Sequence, residues 1–202
     1  EHYRAKARAH IERLGLGGEA RREALKYLDV YASVLHTDEA LERLWSRIEA
    51  SPQGKNTVLI VTGDHRLPEI PMQTHLERYH VPLLIHSPLL LRPARIKSVS
   101  SHVDVAPSVL ALLSHRYGWP SPERVHWVGN GLDMHPQFRN LHAVALKQTK
   151  TEWVDYVSGE YVLHRDRLLY LQDGLLTDGV DEPTVATQLR QSLAQFKAKS
   201  QR

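Results

Sequence analysis

The chain has 202 residues, of which 42% are hydrophobic and 24% charged, enough apolar material for a packed core. It contains no Cys, which excludes disulfides and thiolate metal sites, and its 13 His turn any metal chemistry toward nitrogen and oxygen ligands. The formal net charge is +3. Lys and Arg alternate with Asp and Glu rather than forming the basic stripe that nucleic acid requires, so no nucleic-acid partner is expected, whereas an anionic substrate or a membrane surface suits the charge.

No apolar run is long enough to span a bilayer, and the chain opens at Glu1-His2-Tyr3 without a Met or a signal peptide. It reads as a piece of something longer. Residues 3–14 predict a short polar helix, broken by Gly15, Gly17 and Gly18. A second helical stretch starts near Glu19, with Leu25, Leu28, Ala32 and Leu35 at helical spacing, and the pattern resumes at Leu41, Leu44, Trp45 and Ile48. Either Thr37 or Asp38 caps a new helix in between, or the helix runs on with the Asp38 carboxylate facing inward. Ser51-Pro52-Gln53-Gly54 ends it.

Thr57-Val58-Leu59-Ile60-Val61-Thr62 is short, apolar and β-branched, which predicts a strand buried on both faces inside a parallel sheet. Gly63-Asp64-His65 follows at its carboxyl end, where open α/β sheets gather ligands. Pro82-Leu83-Leu84-Ile85-His86 predicts a second buried strand. Asp104 is placed to cap a helix whose Val105, Val109, Leu112 and Leu113 face the core and which Gly118 stops. Residues 143–146 form a strand candidate. Residues 153–171 alternate around a Ser158-Gly159 turn and predict antiparallel strands. Asp181-Glu182-Pro183 opens a last amphipathic helix with a basic tail.

Asp64 offers a hard oxygen and His65 an imidazole nitrogen, two of the ligands that Zn²⁺ or Mn²⁺ takes, with Gly63 allowing a sharp bend. The plain alternative is that Asp64 caps a helix and His65 is a surface residue. The remaining histidines, among them His80, His86, His115, His126, His135, His142 and His164, have no spacing that converges on a site. Trp119 and Trp127 read as packing residues.

Three segments stand in order: TVLIVTGDH at 57–65, HVPLLIHSP at 80–88 and SHVDVAPSVLALL at 101–113, preceded by Tyr31 and by Asp38 to Leu41 on a helix. Together they resemble the C-terminal half of the alkaline phosphatase/sulfatase superfamily: sulfatases, lipoteichoic acid synthases and phosphoethanolamine transferases. The resemblance covers residues 27–113 well and the rest loosely. It implies an α/β fold, a partial alkaline-phosphatase-like sandwich. Such a fold has a mainly parallel central sheet flanked by helices, here with antiparallel strands toward the C-terminus. All of 1–202 then reads as the C-terminal part of one catalytic domain. Residues 1–50 are its helical lead-in, 55–118 its α/β core with the metal motif, and 119–202 its last strands and helix.

The same resemblance implies roles. Asp64 and His65 match the family's metal pair, holding a divalent ion, Mn or Zn first and Ca or Mg as alternatives. Arg66, His75 and His102 are substrate-binding candidates. Arg66 suits a phosphate or sulfate oxygen, His75 matches by position, and His102 precedes a helix N-terminus of positive potential. The family's Thr, Ser or formylglycine nucleophile has no counterpart here, so no catalytic residue is assigned and this stretch alone is expected to be inactive. In the complete enzyme a metal-activated hydroxyl attacks a phosphate or sulfate ester, and water, a glycan or a lipid takes the group from a covalent intermediate. The lipoteichoic-acid-synthase-like branch implies a bacterial, membrane-anchored protein with this domain outside the cytoplasm. The expected partners are the anionic ester, the missing N-terminal half and a second copy through an exposed sheet edge. The alternative function is a sulfatase-fold interaction domain without chemistry.

Overall fold

The computed structural model describes residues 1–147, 149–150 and 152–200. Two compact units divide the chain, Glu1–Pro93 and Ala94–Arg202.

In the first unit, α1 (His2–Arg13), α2 (Gly18–Lys26) and α3 (Leu28–Glu49) form a helical layer. The small side chain of Ala7 and the apolar Ile11 of α1, with Ala32 of α3, are buried, which lets the two helices approach closely. Glu39 of α3 accepts from the Tyr3 hydroxyl at 3.0 Å and also binds Lys6. Arg4 holds Asp29 bidentately. The helical stretch breaks at Tyr27, not near Asp38. Helix α3 is continuous through Asp38, and the carboxylate lies on its exposed side rather than inward.

Strands β1 (Leu59–Thr62) and β2 (Leu83–His86) make a two-stranded sheet. The pair is antiparallel, with Leu59 opposite His86 and Thr62 opposite Leu83. This corrects the expectation of a parallel central sheet. A parallel return needs a crossover, usually a helix. Residues 63–82 contain only a 3-10 turn, His75–Tyr79, so the chain comes straight back. With one neighbour each, β1 and β2 are half-buried at best, not covered on both faces. The ring of Trp45 on α3 stacks edge-on against His86, centroids 4.1 Å apart, tying the helix to β2.

The second unit begins with a 3-10 turn, His102–Asp104, running into α4 (Val105–Tyr117). Its cap is a reciprocal box. The Ser101 side chain takes the Asp104 N–H, and the Asp104 carboxylate takes the Ser101 N–H at 2.7 Å. Gly118 ends α4 in the left-handed region, φ 66°. Val109 and Leu112 of α4 are exposed, not core-facing. Trp119 and Trp127 are exposed as well.

Five strands follow as an antiparallel meander: β3 (Ala143–Lys147), β4 (Trp153–Ser158), β5 (Tyr161–His164), β6 (Arg167–Leu171) and β7 (Thr177–Gly179). These are the antiparallel strands expected near the C-terminus. Helix α5 (Pro183–Ser200) packs on one face, its Ala186, Leu189 and Leu193 meeting Tyr156, Leu163 and Leu168. Each Å² of apolar surface this cluster removes from water favours folding by roughly 25 cal/mol.

Candidate metal centre

The pair at the end of β1 is set by local hydrogen bonds. The Thr62 hydroxyl donates to the Pro82 carbonyl at 2.9 Å, holding the strand end to the start of β2. A Cβ at Gly63 would stand 3.3 Å from the His65 carbonyl oxygen and 3.4 Å from the Val81 side chain. Gly63 therefore sits at a close approach, where a side chain would make its neighbours give by a few tenths of an ångström, and not in the left-handed region.

Asp64 Oδ1 accepts the His65 backbone N–H at 3.0 Å. His65 Nδ1 lies 2.7 Å from the Arg66 carbonyl oxygen. A carbonyl can only accept, so Nδ1 carries the proton and the lone pair of the neutral ring sits on Nε2. That is the tautomer a metal-ligating histidine uses, its other nitrogen donating to a backbone carbonyl. His65 Nε2 and Asp64 Oδ1 are 3.7 Å apart. Two ligands of one cation share such a spacing, each bond being about 2.0–2.2 Å. Both side chains are exposed, so the two groups face each other on an open surface.

Arg66 follows directly and is half-buried. His75 starts the 3-10 turn His75–Tyr79 and is also half-buried. These four residues belong to the first unit. His102 belongs to the second, where it is exposed and opens the 3-10 turn ahead of α4.

Two histidines that sequence spacing set aside are paired with buried aspartates inside the second unit. His142 Nδ1 is 3.5 Å from Asp104 Oδ1, both residues buried. Asp104 also accepts the Asn130 N–H at 2.9 Å, so one carboxylate joins the cap of α4 to the loop that follows. His164 Nδ1 is 2.5 Å from Asp155 Oδ1. Asp133 accepts two bonds from Arg139, each 2.7 Å, and one from the His135 N–H at 3.1 Å; the guanidinium holds its carboxyl below the usual carboxylate range. Shallow hollows lie beside these groups, one of about 280 Å³ lined by Gly131, Asp133 and His142, another of about 390 Å³ lined by Arg139, Glu160 and Tyr170.

Searches of curated proteins and of solved structures gave no match. The family model for sulfatases matches residues 10–115, a span that takes in α3, both strands of the first sheet, the Asp64-His65 pair and most of α4. Since that is more than half of the chain, the protein belongs to the sulfatase family.

Proposed function

We propose that this chain is the C-terminal portion of a metal-dependent sulfatase-superfamily enzyme acting on phosphate or sulfate esters, as a phosphoglycerol or phosphoethanolamine transferase or a sulfuric ester hydrolase. The observation that carries the reading is the geometry at the carboxyl end of β1, inside the family-matched segment. There an aspartate oxygen and the lone-pair nitrogen of a tautomer-fixed histidine stand 3.7 Å apart.

Asp64 and His65 would supply two ligands to a divalent ion, and their hard-oxygen and imidazole donor set suits Mn or Zn, with Ca or Mg as alternatives. The ion, when bound, supplies Lewis acidity toward a phosphoryl or sulfuryl oxygen and lowers the pKa of a hydroxyl nucleophile. The chain's own part is positional. The Arg66 carbonyl fixes the His65 ring, Gly63 keeps the bend tight, and Thr62 ties the bend to β2. Arg66 and His75, of the same unit as the pair, would bind the anionic ester, a guanidinium being able to grip two oxygens at once.

Two ligands are fewer than the three or four that zinc takes from proteins. The remaining ligands and the nucleophile are therefore proposed to come from a preceding part of the same protein. That part would also carry the anchor of an extracytoplasmic, bacterial enzyme whose substrate is a lipid or glycan ester. By itself the stretch would be inactive. The test is turnover of phosphodiester and sulfate ester substrates by the longer protein with Mn²⁺ or Zn²⁺. Asp64→Ala and His65→Ala are each expected to lower the rate ~100-fold or more, because loss of a ligand disorders the ion. Unchanged rates in both variants would eliminate the ligand role. Absence of any turnover in the longer protein would favour the interaction domain without chemistry.

A further inference from the structure

The sequence contains three asparagines, Asn56, Asn130 and Asn140, and of these Asn130 alone precedes a glycine. The side-chain amide carbon of an asparagine is open to attack by the main-chain nitrogen of the next residue. A free amide, a nitrogen not engaged in a hydrogen bond and the lack of a following side chain all favour that attack. Asn130 lies in the loop between α4 and β3 and is exposed. Among the described residues neither its side-chain amide nor the Gly131 N–H takes part in a hydrogen bond, whereas the Asn130 N–H donates to Asp104 Oδ1 at 2.9 Å. Gly131 has φ 110°, and the one atom that a Cβ there would meet within 4 Å is Ser108 Oγ, at 3.4 Å. Both residues line the hollow that borders Asp133 and His142, which leaves room for water to enter and ammonia to depart.

The fold protects the other two asparagines. Asn56 ends the 3-10 turn Gly54–Asn56, and the nitrogen that would attack it, that of Thr57, donates to the Gly54 carbonyl at 3.2 Å. Thr57 is β-branched and crowds the approach as well. Asn140 is buried and tied at both ends. Its Nδ2 donates to the His142 and Gly159 carbonyls at 3.2 and 2.9 Å, and its Oδ1 accepts the His142 N–H at 2.9 Å.

We infer that Asn130-Gly131 is a site of spontaneous deamidation that loosens the cap of α4. The Gly131 nitrogen bonds to Asn130 Cγ, the bond from Cγ to the side-chain nitrogen breaks, and that nitrogen leaves as ammonia with the proton given up by the main-chain N–H. Water then opens the succinimide at either carbonyl, giving aspartate or isoaspartate. In isoaspartate the main chain runs through the former side chain and is one methylene longer. The loop has no slack for it. The Asn130 N–H is held by Asp104, the Leu132 N–H by Ser108 Oγ at 2.7 Å and the Asp133 N–H by Ser100 Oγ at 3.0 Å. The added methylene falls between the first of these bonds and the other two and puts them out of step. Asp104 is 1% exposed, so a lost donor leaves a buried carboxylate short of a partner. The inference is independent of the metal reading.

The 202-residue chain is aged in mildly alkaline buffer, folded or in urea, and its peptides are mapped for isoaspartate by enzymatic methylation and mass spectrometry while released ammonia is measured. We expect ammonia release and isoaspartate at position 130 in the folded chain, with none at positions 56 and 140. Ammonia separates this reaction from isomerisation at Asp173-Gly174 or Asp178-Gly179, which releases none. Asn130→Gln keeps the main-chain N–H and should abolish the product at this position. The aged parent chain should unfold at lower urea than the fresh one, and the aged Asn130→Gln chain should lose less. Asn130→Asp, which does not lengthen the main chain, should unfold near the fresh parent. No isoaspartate at position 130 in the folded chain while the chain in urea forms it, or equal formation at all three asparagines, overturns the site. Modified chain as stable as fresh chain overturns the effect on the cap.

Discussion

Asp155 on β4 lies directly opposite His164 on β5, and the imidazole Nδ1 is 2.5 Å from the carboxylate Oδ1. The aspartate is 1% exposed, so its charge is held by neighbours rather than by water. His164 supplies one of the bonds to this buried carboxyl, and losing it is destabilising. His164→Ala is expected to lower the stability of the second unit by about 1–3 kcal/mol, read from urea unfolding. Leu at both positions should cost less than the sum of the single changes. Additive costs would mean that the two side chains do not act as a pair.

Acid should weaken the loop around Asp133. Its carboxyl is held low chiefly by the Arg139 guanidinium, so its folded value lies below the unfolded one near 3.9. The pair's contribution is thus complete above pH ~4 and is lost as pH falls through the depressed folded value. Arg139→Met should lower stability at pH 6 by removing two charge-assisted bonds, with the guanidinium side of the pair exposed. The gap to the parent protein should close in strong acid. A gap that stays constant with pH would contradict this assignment.

Gly129 is a point of forced contact. A Cβ there would stand 1.9 Å from the Val103 carbonyl oxygen and 2.8 Å from the Asp104 nitrogen, both backbone atoms that cannot swing aside. Gly129→Ala should push the loop off the cap of α4 and cost roughly 2–4 kcal/mol in thermal or urea unfolding. A neutral effect would show that the loop relaxes freely. By contrast Gly18→Ala, at the first position of α2 where a Cβ meets nothing within 4 Å, should be neutral or slightly stabilising.

The metal pair has a solution signature. Long-range ¹H–¹⁵N spectra of neutral His65 should show the proton on Nδ1, since the Arg66 carbonyl accepts it. Added Zn²⁺ should perturb the Asp64 and His65 resonances first. A proton on Nε2, or metal shifts confined to other histidines, would argue against the pair.

Part of this arrangement is legible in the sequence. The Gly159-Glu160 turn sets Ser158 opposite Tyr161, and counting back along both strands brings Asp155 opposite His164. Cap chemistry at Ser101 and Asp104 was legible from their three-residue spacing. The Asp104–His142 pair was not, because it joins a helix cap to a distant loop that no periodicity connects. The direction of β2 leaves no such signal either. A β-branched run looks alike beside a parallel or an antiparallel neighbour.

The order of residues alone determined that helices precede the strand ending at Thr62, that a second strand and a capped helix follow, and that a carboxylate and an imidazole stand after the first strand on a glycine. These follow from backbone sterics, side-chain periodicity and capping within a few residues of one another. The three-dimensional arrangement decided the rest: that β1 and β2 run antiparallel, that Asp38 faces water, that Arg66 selects the tautomer of His65, and that two aspartates lie buried against histidines. Those outcomes depend on contacts between segments far apart in the chain, or on the angle at which one side chain meets a single carbonyl, and neither leaves a periodic trace in the sequence.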